Sequence, residues 1–122
     1  MNAMKTKFTD ESRHQLLKKL KHQSRTPGGR IWRRLYEELQ ASRRNRLTVN
    51  VGELQQHHVR GQILVVPGKV LSEGVIEDKL QVAAYSFSSQ AREKIQAKGG
   101  KCLSLEELIE ENPTGTKVRL IA

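Results

Sequence analysis

The positive charge of this chain is confined to its first third, which restricts how that third can fold. Residues 1–46 hold 13 Lys and Arg against 4 Asp and Glu, a net of +9, while residues 47–122 hold 9 of each. A segment with that much self-repulsion becomes stable only beside a surface for its few apolar side chains or a polyanion for its cations. Nucleic acid is the commonest polyanion in a cell, so phosphate binding is the first functional expectation. The expected organisation is a basic helical N-terminal arm (1–46), followed by a neutral, mixed α/β globular domain (47–122).

Composition supports that division. Hydrophobic residues are 36% of the 122, against roughly 45–50% in an average soluble domain when glycine is also counted. The neutral part is long enough to form a core, yet a domain of that length is marginal alone. A partner is therefore expected to supply part of the stability. The arm, poor in large apolar residues, is expected to be largely disordered when isolated. The single cysteine, Cys102, permits neither an internal disulfide nor a multi-cysteine metal site, and its neighbours Leu103 and Leu105 suggest that it packs as a small hydrophobe. The charges at Lys5 and Lys7 are followed by no apolar stretch, and the longest aliphatic run is Ile63-Leu64-Val65-Val66. Neither a secretory signal nor a membrane span is expected, and the protein reads as soluble and intracellular.

Periodicity places the elements. Asp10 to Ser24 reads as a helix, with Leu16, Leu17 and Leu20 on one stripe and Arg13, Lys18, Lys19 and Lys21 on the others. Pro27-Gly28-Gly29 breaks it. A second helix, Arg30 to Ala41, carries Ile31, Leu35 and Leu39 at i, i+4, i+8, with Trp32 and Tyr36 alongside. Asn50 to Glu53 and Ser104 to Glu107 are capping-box patterns that open short helices, the first running to His58 and the second through Leu108 and Ile109. Gln62 to Val66 reads as a buried strand that Pro67-Gly68-Lys69 turns back into Val70-Leu71. Strands are also expected at Leu80–Phe87, Lys101–Leu103 and Lys117–Ile121, and a helix at Ser89–Lys98 that stops at Gly99-Gly100.

Three blocks carry a family resemblance. Val65-Val66-Pro67-Gly68-Lys69-Val70-Leu71-Ser72-Glu73-Gly74 resembles the V-x-P-G-K-V-L-x-x-G signature of archaeal and eukaryotic large-subunit ribosomal proteins of the 18e type. Ile31-Trp32-Arg33-Arg34-Leu35, followed by Arg43-Arg44, Arg46 and Val49-Asn50-Val51, is similar to that family's N-terminal half. Ser86-Phe87-Ser88, Ala91 to Ile95 and Gly99-Gly100 resemble a segment shared with bacterial large-subunit ribosomal protein 15. The resemblance runs from about Lys7 onward, and the length fits an archaeal member. It implies a ribonucleoprotein component that binds large-subunit rRNA beside neighbouring ribosomal proteins. It also implies no catalysis, cofactor, metal, membrane or small-molecule substrate, and a body of β-β-α units in an irregular superhelix.

The candidate RNA contacts are Lys18, Lys19, Lys21, Arg25, Arg30, Arg33, Arg34, Arg43, Arg44, Arg46 and Lys69. A guanidinium fork fits two phosphate oxygens, whereas an ammonium acts as a point charge. Trp32 and Tyr36 allow two readings, stacking on bases or packing inward. Gly68 allows close approach to RNA, or a simple chain reversal. Two rival functions have weaker support. An RNA-processing enzyme would need converging acid–base groups, but adjacent His57 and His58 point about 100° apart on a helix and no nucleophile or zinc pattern is present. A DNA-binding regulator could use a helix-turn-helix over residues 10–41, yet the second helix carries too much apolar surface for a recognition helix.

Overall fold

The computed structural model describes residues 10–41 and 47–121. Helix α1 spans Asp10–Gln23 and α2 spans Arg30–Ala41; strand β1 (Leu47–Asn50) leads into α3 (Val51–His57), and β2 runs Ile63–Leu71. Strand β3 is Gln81–Phe87, α4 is Ser89–Ala97, β4 is Lys101–Ser104, α5 is Leu105–Glu111 and β5 is Val118–Leu120. All strand pairs are parallel. The sheet runs β1-β2-β3-β4, and β5 shares with β1 the outer side of β2. The α/β class is as expected. The arrangement differs from the implied β-β-α superhelix, for it is one parallel sheet with helices on both faces.

Parallel strands covered on both sides must be apolar on both sides, and these are. In β2, Ile63 and Val65 point to one face while Leu64 and Val66 point to the other; in β3, Ala83 and Tyr85 oppose Val82 and Ala84. The first face packs against α1, α2 and α5 through Leu16, Leu20, Trp32, Leu35, Leu39, Leu105, Leu108 and Ile109. The second packs against α3 and α4 through Val51, Leu54, Ala91 and Ile95. Residues 10–41 therefore form one layer of the fold, and the expectation of an arm that is disordered on its own does not match them.

Local chemistry sets the element ends. Ser104 Oγ accepts from Glu107 N at 3.1 Å while Glu107 Oε1 accepts from Ser104 N at 2.8 Å, the capping box expected for α5. Ser88 Oγ caps α4 by accepting from Ala91 N. Gly28 closes the α1–α2 turn at φ 81°, in the left-handed region, where a side chain would also strike the Thr114 carbonyl.

Two expectations around β2 are corrected. The chain does not reverse at Pro67-Gly68-Lys69; β2 continues straight through it. The outer side of β2 pairs with β5 over Ile63–Val65 and with β1 over Gly68–Leu71, and the register to β3 shifts between Val66 and Lys69. Pro67, which has no N–H, sits at this changeover, where a ladder hydrogen bond is dispensable. Gly68 is buried because β1 lies directly against it: a Cβ there would strike the Leu47 carbonyl oxygen. The close approach is to protein backbone rather than to a ligand. Strand β1 had no counterpart among the expected elements, since its four residues follow a basic run and lack a turn signal.

Candidate nucleic-acid interface

The amphipathic spacing of α1 and α2 directs their cations outward. With Leu16 and Leu20 at 0% exposure against the sheet, Lys18, Lys19 and Lys21 are on the solvent side of α1. Arg25 is exposed in the turn, and Arg30, Arg33 and Arg34 are exposed on α2, opposite Trp32, Leu35 and Leu39. Lys69 is also exposed. Its neighbour Val70 is buried on the α3/α4 face, so strand alternation turns Lys69 to the face that α1 and α2 cover, at the far end of β2. Arg43, Arg44 and Arg46 lie outside the described residues.

These cations are not equivalent. Arg33 and Arg34 pair with Glu37 and Glu38 at i,i+4, at 3.5 and 3.6 Å. Both pairs are exposed, and such pairs are worth about 0.3–0.5 kcal/mol, weak enough for a phosphate to displace. Lys19 Nζ reaches Glu106 at 3.2 Å and ties α1 to α5. Lys18, Lys21, Arg25 and Arg30 form no ion pair with any described carboxylate. They are the strongest sources of positive potential on this layer.

Other residues prove structural. Arg13 is half-buried and donates from Nη2 to the Leu39 carbonyl, capping the last turn of α2 and fastening the two helices. The sequence pattern had placed it among the solvent cations, and no local signal marks it as different. Trp32 has no exposed surface and donates from Nε1 to the Pro113 carbonyl at 2.7 Å. Of its two readings, packing is correct. Tyr36 packs half-buried beside it. The apolar side of α2 is spent on the sheet. Cys102 is half-buried against the α3/α4 cluster, as a packed thiol should be. Burial pushes its pKa above 9.0, opposed by the Arg92 charge.

Among the described residues no three His, Cys, Asp or Glu side chains are grouped so as to hold a metal. Several of the carboxylates that an enzyme reading would invoke are engaged elsewhere. Asp78 accepts from Gln55 Nε2 at 2.6 Å, and Glu111 pairs with Lys101 at 3.1 Å. No described helix is long and apolar enough to cross a membrane.

A layer that is apolar inside and cationic outside is suited to lie along a polyanion. The family described as "Ribosomal protein 60S L18 and 50S L18e" matches residues 2–122. A large ribosomal subunit protein eL18 from Methanococcus maripaludis is 40% identical over 114 residues, covering 93% of this chain and 95% of that protein. Its counterpart from Methanopyrus kandleri is 44% identical over 118 residues, with 93% of each covered. The counterpart from Methanothermobacter thermautotrophicus is 38% identical over 106 residues, covering 87% of this chain and 88% of that protein. The 18e resemblance carried by the Pro67-Gly68-Lys69 block therefore holds along nearly the whole length, and the chain belongs to the family of ribosomal protein 60S L18 and 50S L18e.

Proposed function

We propose that this protein is a structural constituent of the large ribosomal subunit in the cytoplasm, without catalytic activity. It binds large-subunit rRNA through the outer side of the α1–α2 layer and through Arg43, Arg44 and Arg46. The sheet and its remaining helices serve as a platform against RNA and neighbouring ribosomal proteins. The division at residue 46 is then one of charge and role, within a shared core. The observation that carries this reading is the set of four exposed cations, Lys18, Lys21, Arg25 and Arg30, that pair with no described carboxylate, on a helical layer whose large apolar side chains face the sheet.

Phosphate neutralisation should set affinity more than base reading does, since A-form RNA hides its base edges in a deep, narrow groove. With about 6–8 phosphates contacted, log K for rRNA binding should fall with log salt at a slope of about −4 to −7. Replacing Lys18, Lys21, Arg25 and Arg30 by Gln should make that slope shallower by about 3. A flat titration for the unaltered protein would end this reading. So would preference for one duplex DNA sequence over folded large-subunit RNA.

A further inference from the structure

Four of the five strands begin just after an exposed cation. Arg60 precedes β2, Lys79 precedes β3, Lys98 precedes β4 and Lys117 precedes β5, each by one to three residues. In the sequence these positions recur every 19 residues. Because β5, β2, β3 and β4 are parallel and adjacent in that order, their starting ends share one edge of the sheet. Neighbouring strands lie about 4.8 Å apart, so the four cations stand in a row along roughly 15 Å of that edge.

The row is built for an anion. None of the four pairs with a described carboxylate. His58, Arg60, Gly61, Asp78 and Lys79 line a cleft of about 430 Å³, within the ~300–1,000 Å³ of ordinary ligand sites. The Lys79 stem lies across Gly99, 3.2 Å from where a Cβ there would stand, which brings it beside Lys98. His58 Nδ1 is buried and meets no protein partner. The carboxylate within the cleft, Asp78, is turned to Gln55. Lys101, also on this edge, is neutralised by Glu111 and is left out. Glu53, Glu73 and Glu77 line a different groove, with Asn50, Gly52 and Gly74. The 9 cations and 9 anions of residues 47–122 thus sum to zero without being evenly spread.

We propose that this edge is a second phosphate-binding surface, which takes a run of successive phosphates of one RNA strand and is distinct from the outer side of α1 and α2. A nucleic-acid strand carries one phosphate per residue at regular intervals, and a regular row of cations is its natural complement; an acidic protein segment has no such regularity. The proposal rests on the rRNA-binding reading above.

The test uses the full chain and a large-subunit rRNA transcript. The edge variant combines Arg60→Gln, Lys79→Gln, Lys98→Gln and Lys117→Asn; asparagine suits position 117, whose φ is 61°. All four side chains are exposed, so thermal unfolding should be unchanged, and this is measured first. Binding at about 0.1 M salt should weaken about 10–100-fold and the salt slope should become shallower by about 3. Hydroxyl-radical footprinting should show the edge variant losing one protected RNA segment and the Lys18/Lys21/Arg25/Arg30 variant losing another. A steep slope in the unaltered protein that persists in the edge variant would overturn this proposal and leave the helical-layer reading standing. A flat slope in the unaltered protein would overturn both.

Discussion

The two faces of the sheet bury nearly the same thing and show the solvent very different things. Among the described residues each holds a cluster of twelve buried side chains: Leu16, Leu20, Trp32 and Leu35 lead one, and Val51, Leu54, Ala91 and Ile95 take part in the other. Outside, α1 and α2 present Lys18, Lys21, Arg25 and Arg30 without a described carboxylate partner, whereas the α4 surface mixes Arg92, Glu93 and Lys94, and Lys94 is held by the Ser72 and Gly74 carbonyls. The difference teaches that net charge describes the outer side of a layer and says little about its inner side. A helix with low overall hydrophobicity can still fill a core if its few large side chains share one stripe.

The strongest test of that equivalence is Trp32→Ala. If residues 10–41 were an appendage, losing this side chain would leave the unfolding of the sheet unaltered. With a shared core it should cost about 3–5 kcal/mol, including the hydrogen bond to Pro113, and should shift one cooperative transition of the entire chain. Trp32 is the sole tryptophan, so urea unfolding must be followed by circular dichroism. Two separate transitions would show that the faces are independent.

Gly68→Ala probes the opposite face, at the place where β1 pairs with β2. The added methyl meets the Leu47 carbonyl, which is rigid backbone, so β1 must move and take Val49 out of its cluster. Overpacking of this kind costs about 2–3 kcal/mol, read as a lower urea midpoint. An unchanged midpoint would mean that β1 is loosely held and that the α3/α4 face is the softer of the two.

The sequence showed those parts of the fold that local chemistry decides. The capping box at Ser104, the stop at Gly99-Gly100 and the i, i+4 stripe of α2 each depend on residues close in the chain, and each stands in the structure. What sequence reasoning missed depends on pairing between distant segments. Pro67-Gly68 looks like a turn in isolation; only β5 and β1, arriving from opposite ends of the chain, make it the changeover point of a continuous strand. Arg13 looks like any solvent cation until α2 places the Leu39 carbonyl beside it. Of the candidate site, the outward direction of Lys18, Lys19 and Lys21 on α1 and of Arg30, Arg33 and Arg34 on α2 followed from helical period alone. The 19-residue recurrence of Arg60, Lys79, Lys98 and Lys117 gains meaning only once their strands are known to be parallel neighbours.

Cys102 reports on how closely the α3/α4 side excludes water. Desolvation raises its thiol pKa above 9.0 in the folded protein, more than the Arg92 charge lowers it. The folded state therefore favours the protonated thiol. The stability tied to that preference is fully present below 9.0, the unfolded value, and is lost as pH rises from there through the folded pKa. Labelling by a thiol-specific disulfide at pH 8 should accordingly be slower in the native protein than in urea. Equal rates would indicate that this face opens readily.

The smallest effect should come from the ion pair that decorates the charged face. Lys19 and Glu106 meet at 3.2 Å, but their side chains are 52% and 36% exposed, so solvent screens most of their attraction. A double-mutant cycle with Lys19→Ala and Glu106→Ala should give a coupling below about 1 kcal/mol. The same pair is more informative in RNA binding. Glu106 offsets the field of Lys19, so removing the carboxylate alone should strengthen rRNA binding slightly, whereas removing Lys18, which pairs with no described carboxylate, should weaken it. If Glu106→Ala weakened binding instead, the α1–α5 tie would be positioning the helix, and the cationic outer side of the layer would depend on its packing as much as on its charge.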